Sequence, residues 1–533
     1  MANIHLKKIF AFTVIVLIIS MISINISGKI INREIQTYVS PINKDIDWWP
    51  MFQHDNNRSG YSKSSGPKTN NVLWSTKVNN SIGVTPIIVD NKIYIIGYDY
   101  IYCLDLDTGE NIWQTYIYDG TKSTPTFTED RLYIGSYSGI FYCLDANDGS
   151  IIWQNQTGDS HTSPLVFNDK VYISTFDAGK LYCLNAENGM EIWVTSLGDN
   201  IQSPALFNER LITSSGRFGD DGYIYCINAS NGVIIWKFQT EESFSVTSPI
   251  SPLIYNDKVY IGDWGGYYYC LDIYNGTLIW RFKSNGRIST SSCIGDGKVF
   301  FADYTFYLYC LNADTGEKIW EFKTPVGYEI FPSPIYADGM IYFTYGSGFV
   351  YCLNASSGEQ IWKYITAYHM RASPALVDGK LYICSTEGRV FCFGGESNNL
   401  PPITPKEIIG PTYCLINVEY TYNTSTYDPD GDQLNYLWRW AGLGTDWMGP
   451  YESNETTAVN VTFHYNYGLI EVEVIARDSN FATSNWAKLE VRVPRDKTLE
   501  STIFFRFLER FPLLNLFIQK LICTIPKLLP SRK

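Results

Sequence analysis

Histidine is scarce: five residues in 533. The chain has no C-x-x-C, no Cys-His cluster at metal-ligand spacing, no H-E-x-x-H, no G-x-S-x-G and no Walker phosphate loop. These gaps remove the usual sequence signatures of zinc sites, hydrolase nucleophiles and nucleotide binding. Positive charge is short as well. There are 41 Lys and Arg against 54 Asp and Glu, a net charge of −13. A face that binds phosphates needs the opposite balance, so nucleic acid is excluded as a partner. Between residues 29 and 494 no apolar run has the length of a membrane helix. The apolar pieces there are strand-length and broken by Asp, Asn or Gly.

Aromatic residues are plentiful: 40 Tyr, 28 Phe and 15 Trp. That excess favours strands, and the length calls for more than one domain. At the N-terminus Lys7 and Lys8 precede an uncharged run from Ile9 to Gly28. Twenty helical residues span about 30 Å, enough to cross a bilayer. Residues 1–28 therefore read as a signal peptide or a membrane anchor. Either one exports the rest and leaves the two lysines on the cytoplasmic side. Six N-x-[ST] triplets fit an exported glycoprotein: Asn57-Arg-Ser, Asn155-Gln-Thr, Asn275-Gly-Thr, Asn423-Thr-Ser, Asn454-Glu-Thr and Asn460-Val-Thr.

The centre of the chain repeats itself. IYCLDLDTGENIW (101–113), FYCLDANDGSIIW (141–153) and LYCLNAENGMEIW (181–193) are followed by IYCINASNGVIIW (224–236) and YYCLDIYNGTLIW (268–280). LYCLNADTGEKIW (308–320) and VYCLNASSGEQIW (350–362) complete the series. An eighth copy begins as VFCFGG (390–395) and stops before its Trp; the missing piece is VLW at 72–74. Trp74, Trp113, Trp153, Trp193, Trp236, Trp280, Trp320 and Trp362 thus recur every 39 to 44 residues. Each unit reads as four strands with Gly-containing turns, which is the period of a propeller blade. The split repeat predicts an eight-bladed β-propeller over residues 70–395, its last blade closed by an N-terminal strand.

The repeated pattern [LIV]-Y-x-[LI]-[DN]-A-x-[TN]-G-x-x-[IL]-W resembles the pyrroloquinoline-quinone-like (PQQ-like) propeller repeat. DWWPMFQHDNNRSGYS (47–62), within a lead-in segment at 29–69, is similar to the stretch that often precedes such propellers. Family dehydrogenases carry a vicinal Cys pair over the quinone, calcium ligands and a catalytic Asp. This chain has no adjacent Cys pair and no long blade insertions. The resemblance therefore implies the fold without requiring a cofactor. Position 103 and its equivalents, usually Ala in the family, are Cys here. Equivalent positions on neighbouring sheets lie about 10 Å apart, beyond disulfide reach, so these Cys are expected to pack between blades. The repeated Trp should bury its ring against the next blade.

The expected binding positions precede each [ST]-P, where the innermost strand starts at the channel mouth: Lys122, His161, Gln202, Tyr328, Glu329, His369 and Arg371. Their mixed chemistry fits binding rather than one reaction, and no catalytic residue is assigned. After a linker at 396–406, residues 407–494 alternate like strands of an immunoglobulin-like β-sandwich. DPDGDQLNYLW, the late Tyr467-Gly468 and VIARD resemble the PKD-type domains of archaeal and bacterial surface proteins. RWAGLGT departs from the W-G-D-G turn usual there. Asp428, Asp430 and Asp432, with Asp478 from a neighbouring strand end, read as calcium ligands or as an Asx-rich turn.

From Arg495 onward the tail 495–533 holds eight basic and three acidic residues among many Phe and Leu. It fits a lipid surface, another protein or the chain's own domains. The sequence thus reads as an all-β, membrane-anchored or secreted scaffold or binding protein. Its partners would be the membrane and other surface proteins or glycans. A PQQ-dependent oxidoreductase is the alternative.

Overall fold

The computed structural model describes residues 46–493, except 119, 122, 161, 177–178, 217–220, 245–249, 325–331, 347, 367, 396–399, 466–467 and 480–481. The apolar run at 9–28 and the tail at 501–533 lie outside the described residues. Among the described residues no helix is long and apolar enough to cross a membrane.

Eight antiparallel sheets form the propeller. Blade 2 shows the plan: Thr126–Thr128, Arg131–Gly135, Ile140–Asp145 and Ile151–Gln156, from the axis outward. The first hairpin of every blade turns on two successive residues of positive φ, such as Glu129 (49°) and Asp130 (59°), the geometry of a type I′ turn. The second and third strands are buried along almost their whole length because each blade is sandwiched between two others. Polar and exposed residues collect on the fourth, outermost strand.

The repeated Trp reaches across to the next blade. Trp153 Nε1 donates to Ala186 O at 3.0 Å and Trp280 Nε1 to Ala313 O at 3.1 Å. Tyr133 and Tyr260 hydroxyls, from the second strands of the same blades, donate to those same carbonyls. The turn glycine lies flat on the ring it covers. A Cβ on Gly189, whose φ is +73°, would stand 2.5 Å from the Trp153 ring. Only glycine satisfies both the backbone and the contact there.

Blade 8 is assembled from both ends of the repeat. Val72–Lys77 pairs with Arg389–Phe393, and Trp74 stands opposite Cys392 as Trp113 stands opposite Cys103 in blade 1. Splitting the blade removes the turn whose carbonyl blade 7 needs. Pro67 supplies it instead: its carbonyl accepts from Trp362 Nε1 at 2.9 Å and from the Tyr342 hydroxyl at 3.1 Å. Blade 7 also gains a short parallel strand, Tyr61–Ser62, on its inner edge.

All eleven described cysteines are unpaired and buried. Burial raises the thiols of the repeat, to about 11 at Cys143 and about 12 at Cys103, Cys183 and Cys270. They are packing residues held in the unreactive thiol form.

Beyond the propeller, Glu419–Ser425 pairs with Thr456–Thr462, and a second sheet joins Leu434–Trp440, Leu443–Gly444, Met448–Tyr451, Gly468–Asp478 and Ala487–Val493. Both sheets bury one core that includes Tyr422, Tyr436, Trp438, Val461, Phe463, Val474 and Val491. This small β-sandwich rests on blade 7, where Ile365 and Phe349 meet Leu437, Ile475, Trp447 and Trp486.

Two outcomes follow from this packing. Gly189→Ala should cost about 3 kcal/mol, strain plus overpacking, whereas Gly297→Ala should cost about 1 kcal/mol. Gly297 has φ +69° but open space around it, and denaturant midpoints of the two variants give the comparison. Titration of the folded protein with a thiol reagent near pH 8 should leave the eleven described cysteines unmodified, with all of them reacting once denaturant unfolds the chain.

Candidate binding site in the central channel

Outside blade 7, whose inner edge pairs with Tyr61–Ser62, the innermost strand has no neighbouring strand on its axial side, so its amides need acceptors from elsewhere. Part of the answer is the [ST]-P step, replaced in blade 6 by Ser291-Ser292. Thr124 N donates to Ser163 Oγ (3.1 Å) and Ser163 N to Ser203 Oγ (2.9 Å). Ser251, Ser291 and Ser333 amides donate in turn to Ser291, Ser333 and Ser373 hydroxyls at 2.8, 3.0 and 2.8 Å. Each hydroxyl thus ties one blade to the one before it.

The lead-in provides the rest. Ile88, Phe127, Leu206, Ile254, Ile294 and Tyr336 are the middle residues of six innermost strands. Their amides donate to the carbonyls of Trp49, Pro50, Asn56, Asn57, Ser59 and Gly60 at 2.8 to 3.0 Å. Asp378 N in blade 8 donates to Ser64 Oγ. Blade 3 is engaged through Arg58, which is fully buried and donates to Ser163 O, Pro164 O, Pro204 O and Phe52 O. Burial lowers the Arg58 guanidinium to about 9, partly offset by Asp55, so it stays charged at neutral pH. Residues 49–64 therefore run round the inside of the ring.

A buried charge cluster holds this segment. His54 Nε2 lies 3.2 Å from Asp47 Oδ1, and His54 Nδ1 lies 3.8 Å from Asp55 Oδ2. Burial opposes the charge on His54, but hydrogen bonds and charges from Asp47 and Asp55 prevail and raise it to about 9. Asp47 is likewise disfavoured by burial yet drawn down to about 2 by His54, the Lys63 amide and Ser62.

Antiparallel strands alternate in direction, so the turns between second and third strands lie at the other end of the channel. One turn position there is fixed by a common bond to the preceding loop. Tyr137 N donates to Gly120 O, Phe176 N to Asp159 O, Trp264 N to Ser243 O, Tyr304 N to Arg287 O and Thr386 N to His369 O. In blades 2, 3, 5 and 6 the residue at this position is aromatic and half-buried. The Trp264 and Tyr304 rings stack at 6.2 Å, with the Arg287 guanidinium 5.4 Å above Trp264. Buried Asp263 and Asp303 set these two turns by accepting from Tyr269 and Tyr309 hydroxyls. Burial lifts Asp263 to about 6 against those hydrogen bonds. Sequence reasoning missed this set; aligning the residue that follows Ser, Thr or Asp in S-Y-S, T-F-D, D-W-G and D-Y-T would have found it.

The sequence-predicted positions are spread more widely. Gln202 is buried, and its Oε1 accepts from Ile250 N at 2.9 Å, joining blades 4 and 5. Arg371 is exposed. His369 Nδ1 lies 2.9 Å from Gly346 O. It borders a cavity of about 430 Å³, with Tyr368 and Glu387 on the propeller side and Arg439, Trp440 and Glu471 on the sandwich side. Lys122, His161, Tyr328 and Glu329 lie outside the described residues.

In the sandwich, Asp428 Oδ1 accepts from Asp430 N (2.8 Å) and Asp432 N (3.2 Å), closing its own turn. Asp430 accepts from Leu400 N, and Asp478 from Ala482 N at 2.8 Å. Among the described residues no group of three or more His, Cys, Asp or Glu is gathered to hold a metal ion.

The fold and channel define the class: a closed eight-bladed β-propeller whose lumen is occupied at one end by its own lead-in. Residues 63–166, 98–198, 138–281 and 220–416 match the PQQ-like repeat family described as outer membrane protein assembly factor BamB. Together these matches span more than half of the chain, which belongs to that family. No curated protein sequence matches it. BamB from Moraxella catarrhalis is 16% identical, with 61% of this chain and 99% of that one covered at a TM-score of 0.50. Quinohemoprotein alcohol dehydrogenase from Comamonas testosteroni is 14% identical, covering 68% and 82% at 0.57. A europium-containing methanol dehydrogenase is 13% identical, covering 66% and 98% at 0.55. At such identities the likeness is one of fold, shared by a membrane assembly factor and by dehydrogenases.

The His54 cluster has a pH signature. A folded-state value of about 9, raised from 6.5, gives stability that is full below the unfolded value and lost as pH rises through the folded one. Melting temperature should therefore fall as pH rises from about 7 to about 10, and fall less in His54→Gln; thermal melts across that window read the difference.

Proposed function

We propose that this chain is an exported, non-enzymatic binding protein that presents the aromatic turn face of its propeller to another surface protein or to a glycan. The observation that carries the reading is the set Tyr137, Phe176, Trp264 and Tyr304, held at one equivalent position in four blades. Aromatic faces supply large contact area for little ordering entropy, and they stack equally on peptide groups and on sugar rings. The rest of the propeller is nearly uniform, and the other end of the channel is filled by the chain itself. A BamB-type relationship fits a propeller that works on the exported side of a membrane by contact with other proteins.

The alternative is a quinoprotein oxidoreductase, and two features favour the binding reading over it. The sequence has no adjacent Cys pair, and the described residues gather no carboxylate cage for calcium.

The test is affinity capture from the organism's own membrane with the wild-type chain and with a Trp264→Ala/Tyr304→Ala variant. Wild type should retain a partner, or bind immobilised surface glycan, and the variant should lose at least about tenfold in affinity with its melting temperature little changed. Dye-linked dehydrogenase activity that depends on added quinone and calcium would reverse the order of the two readings.

A further inference from the structure

The lead-in contacts the channel as a bound peptide would, and the contacts owe nothing to its covalent link. Six innermost strands donate main-chain amides to its carbonyls, a radial form of strand augmentation. Side-chain selection is added at two neighbouring positions. Arg58 fills the hub with no exposed surface and donates to carbonyls of Ser163, Pro164 and Pro204, which belong to the walls. Gly60 has φ +58°, and a Cβ on it would stand 2.7 Å from the Cys293 Cβ. An arginine is required where the walls offer only carbonyls, and a glycine where they leave no room. After Gly60 the chain runs outward past blade 7 and leaves the lumen, then returns as the outer strand of blade 8.

The geometry points to a peptide-binding site in the floor of the channel, specific for an Asn-Asn-Arg-Ser-Gly segment. It is occupied in cis by residues 49–64 and able to take the same segment from a second copy of the chain. The tether decides which copy wins. A short link raises the local concentration of the cis segment to about the millimolar range, so exchange between copies emerges only when that link is cut or the cis segment is weakened.

The test uses the full chain in detergent with a protease site inserted between Lys68 and Thr69; the Lys68 side chain is 74% exposed. After cleavage, a fluorescent synthetic peptide of residues 46–68, which includes the Pro67 carbonyl that blade 7 needs, should exchange into the folded propeller and co-elute with it. Unlabelled wild-type peptide should compete, and Arg58→Ala and Gly60→Ala peptides should compete at least about tenfold less well. A cut, still folded propeller that retains no labelled peptide, or that binds the wild-type and Arg58→Ala peptides equally, overturns the proposal. If cutting unfolds the ring, refolding on addition of the wild-type peptide alone supports the site, and failure to refold with it counts against it. A second arm leaves the chain uncut. Full-length Arg58→Ala protein, its cis segment weakened, should take up labelled wild-type peptide, and a folded variant that takes up none rejects the site.

Discussion

An innermost strand that faces an empty axis carries main-chain amides with no acceptor, and a propeller has one such edge in every blade. Leaving a buried amide unpaired costs about 1–3 kcal/mol, and a full circle of them would offset much of the stability of a domain. The structure meets this demand twice. Hydroxyls of Ser163, Ser203, Ser291, Ser333 and Ser373, at the starts of five innermost strands, accept from the preceding blade. The carbonyls of residues 49–60 accept from the mid-strand amides. This constraint explains why Ser recurs at one position in most blades and why a polar lead-in is drawn into the lumen. It also explains why that lead-in carries a buried arginine: where blade 3 presents carbonyls rather than amides, only a donor can meet them.

Closure of the circle depends on a second debt of the same kind. Blades 1, 2, 3, 5 and 7 each direct a Trp and a Tyr donor at one carbonyl beyond the blade, and blades 4 and 6 direct the Trp alone, so cutting the ring beside blade 7 leaves two donors in need of a carbonyl. The cut falls between the third and fourth strands of blade 8, and Pro67 enters from the other end of the chain to stand where that turn would be. Proline suits the place because the position needs only a carbonyl and has no amide of its own to satisfy. Strand exchange and acceptor exchange are thus one event: the segment that completes blade 8 also completes the contact of blade 7.

Much of this fold was legible because a repeat states its period openly. Eight Trp positions, one of them displaced to residue 74, sufficed to predict blade number and closure. The burial of the Cys followed from sheet spacing. The acceptors of the Trp indoles were not legible, since a carbonyl carries no side-chain signature. The path of the lead-in was not legible either, because its bonds are main-chain bonds to residues hundreds of positions away. Gln202 shows a third limit. Its place before a Ser-Pro step marked it as a channel residue, but the amide of Ile250 in the next blade lacks a partner and claims its side chain. The aromatic turn residues went unread because Tyr, Phe and Trp alternate with Gly and Thr at that position, and a motif search rewards identity over role.

Blade 7 gathers more of the chain than any other blade. Its inner edge receives Tyr61–Ser62, its indole and hydroxyl donors receive Pro67, and its outer strand carries the sandwich through Ile365. The Arg477 guanidinium lies 4.1 Å from the Trp447 ring, with buried Tyr364 of blade 7 facing it. A half-buried cation on an indole face is oriented as well as attracted, so the contact fixes how the sandwich sits as well as where. The stretch 439–447, RWAGLGTDW, builds this contact and part of the wall of the neighbouring cavity. The segments before and after the repeat thus meet on one blade, beside the seam where the ring was cut. A perturbation at either segment therefore acts first on the contacts that keep the propeller closed.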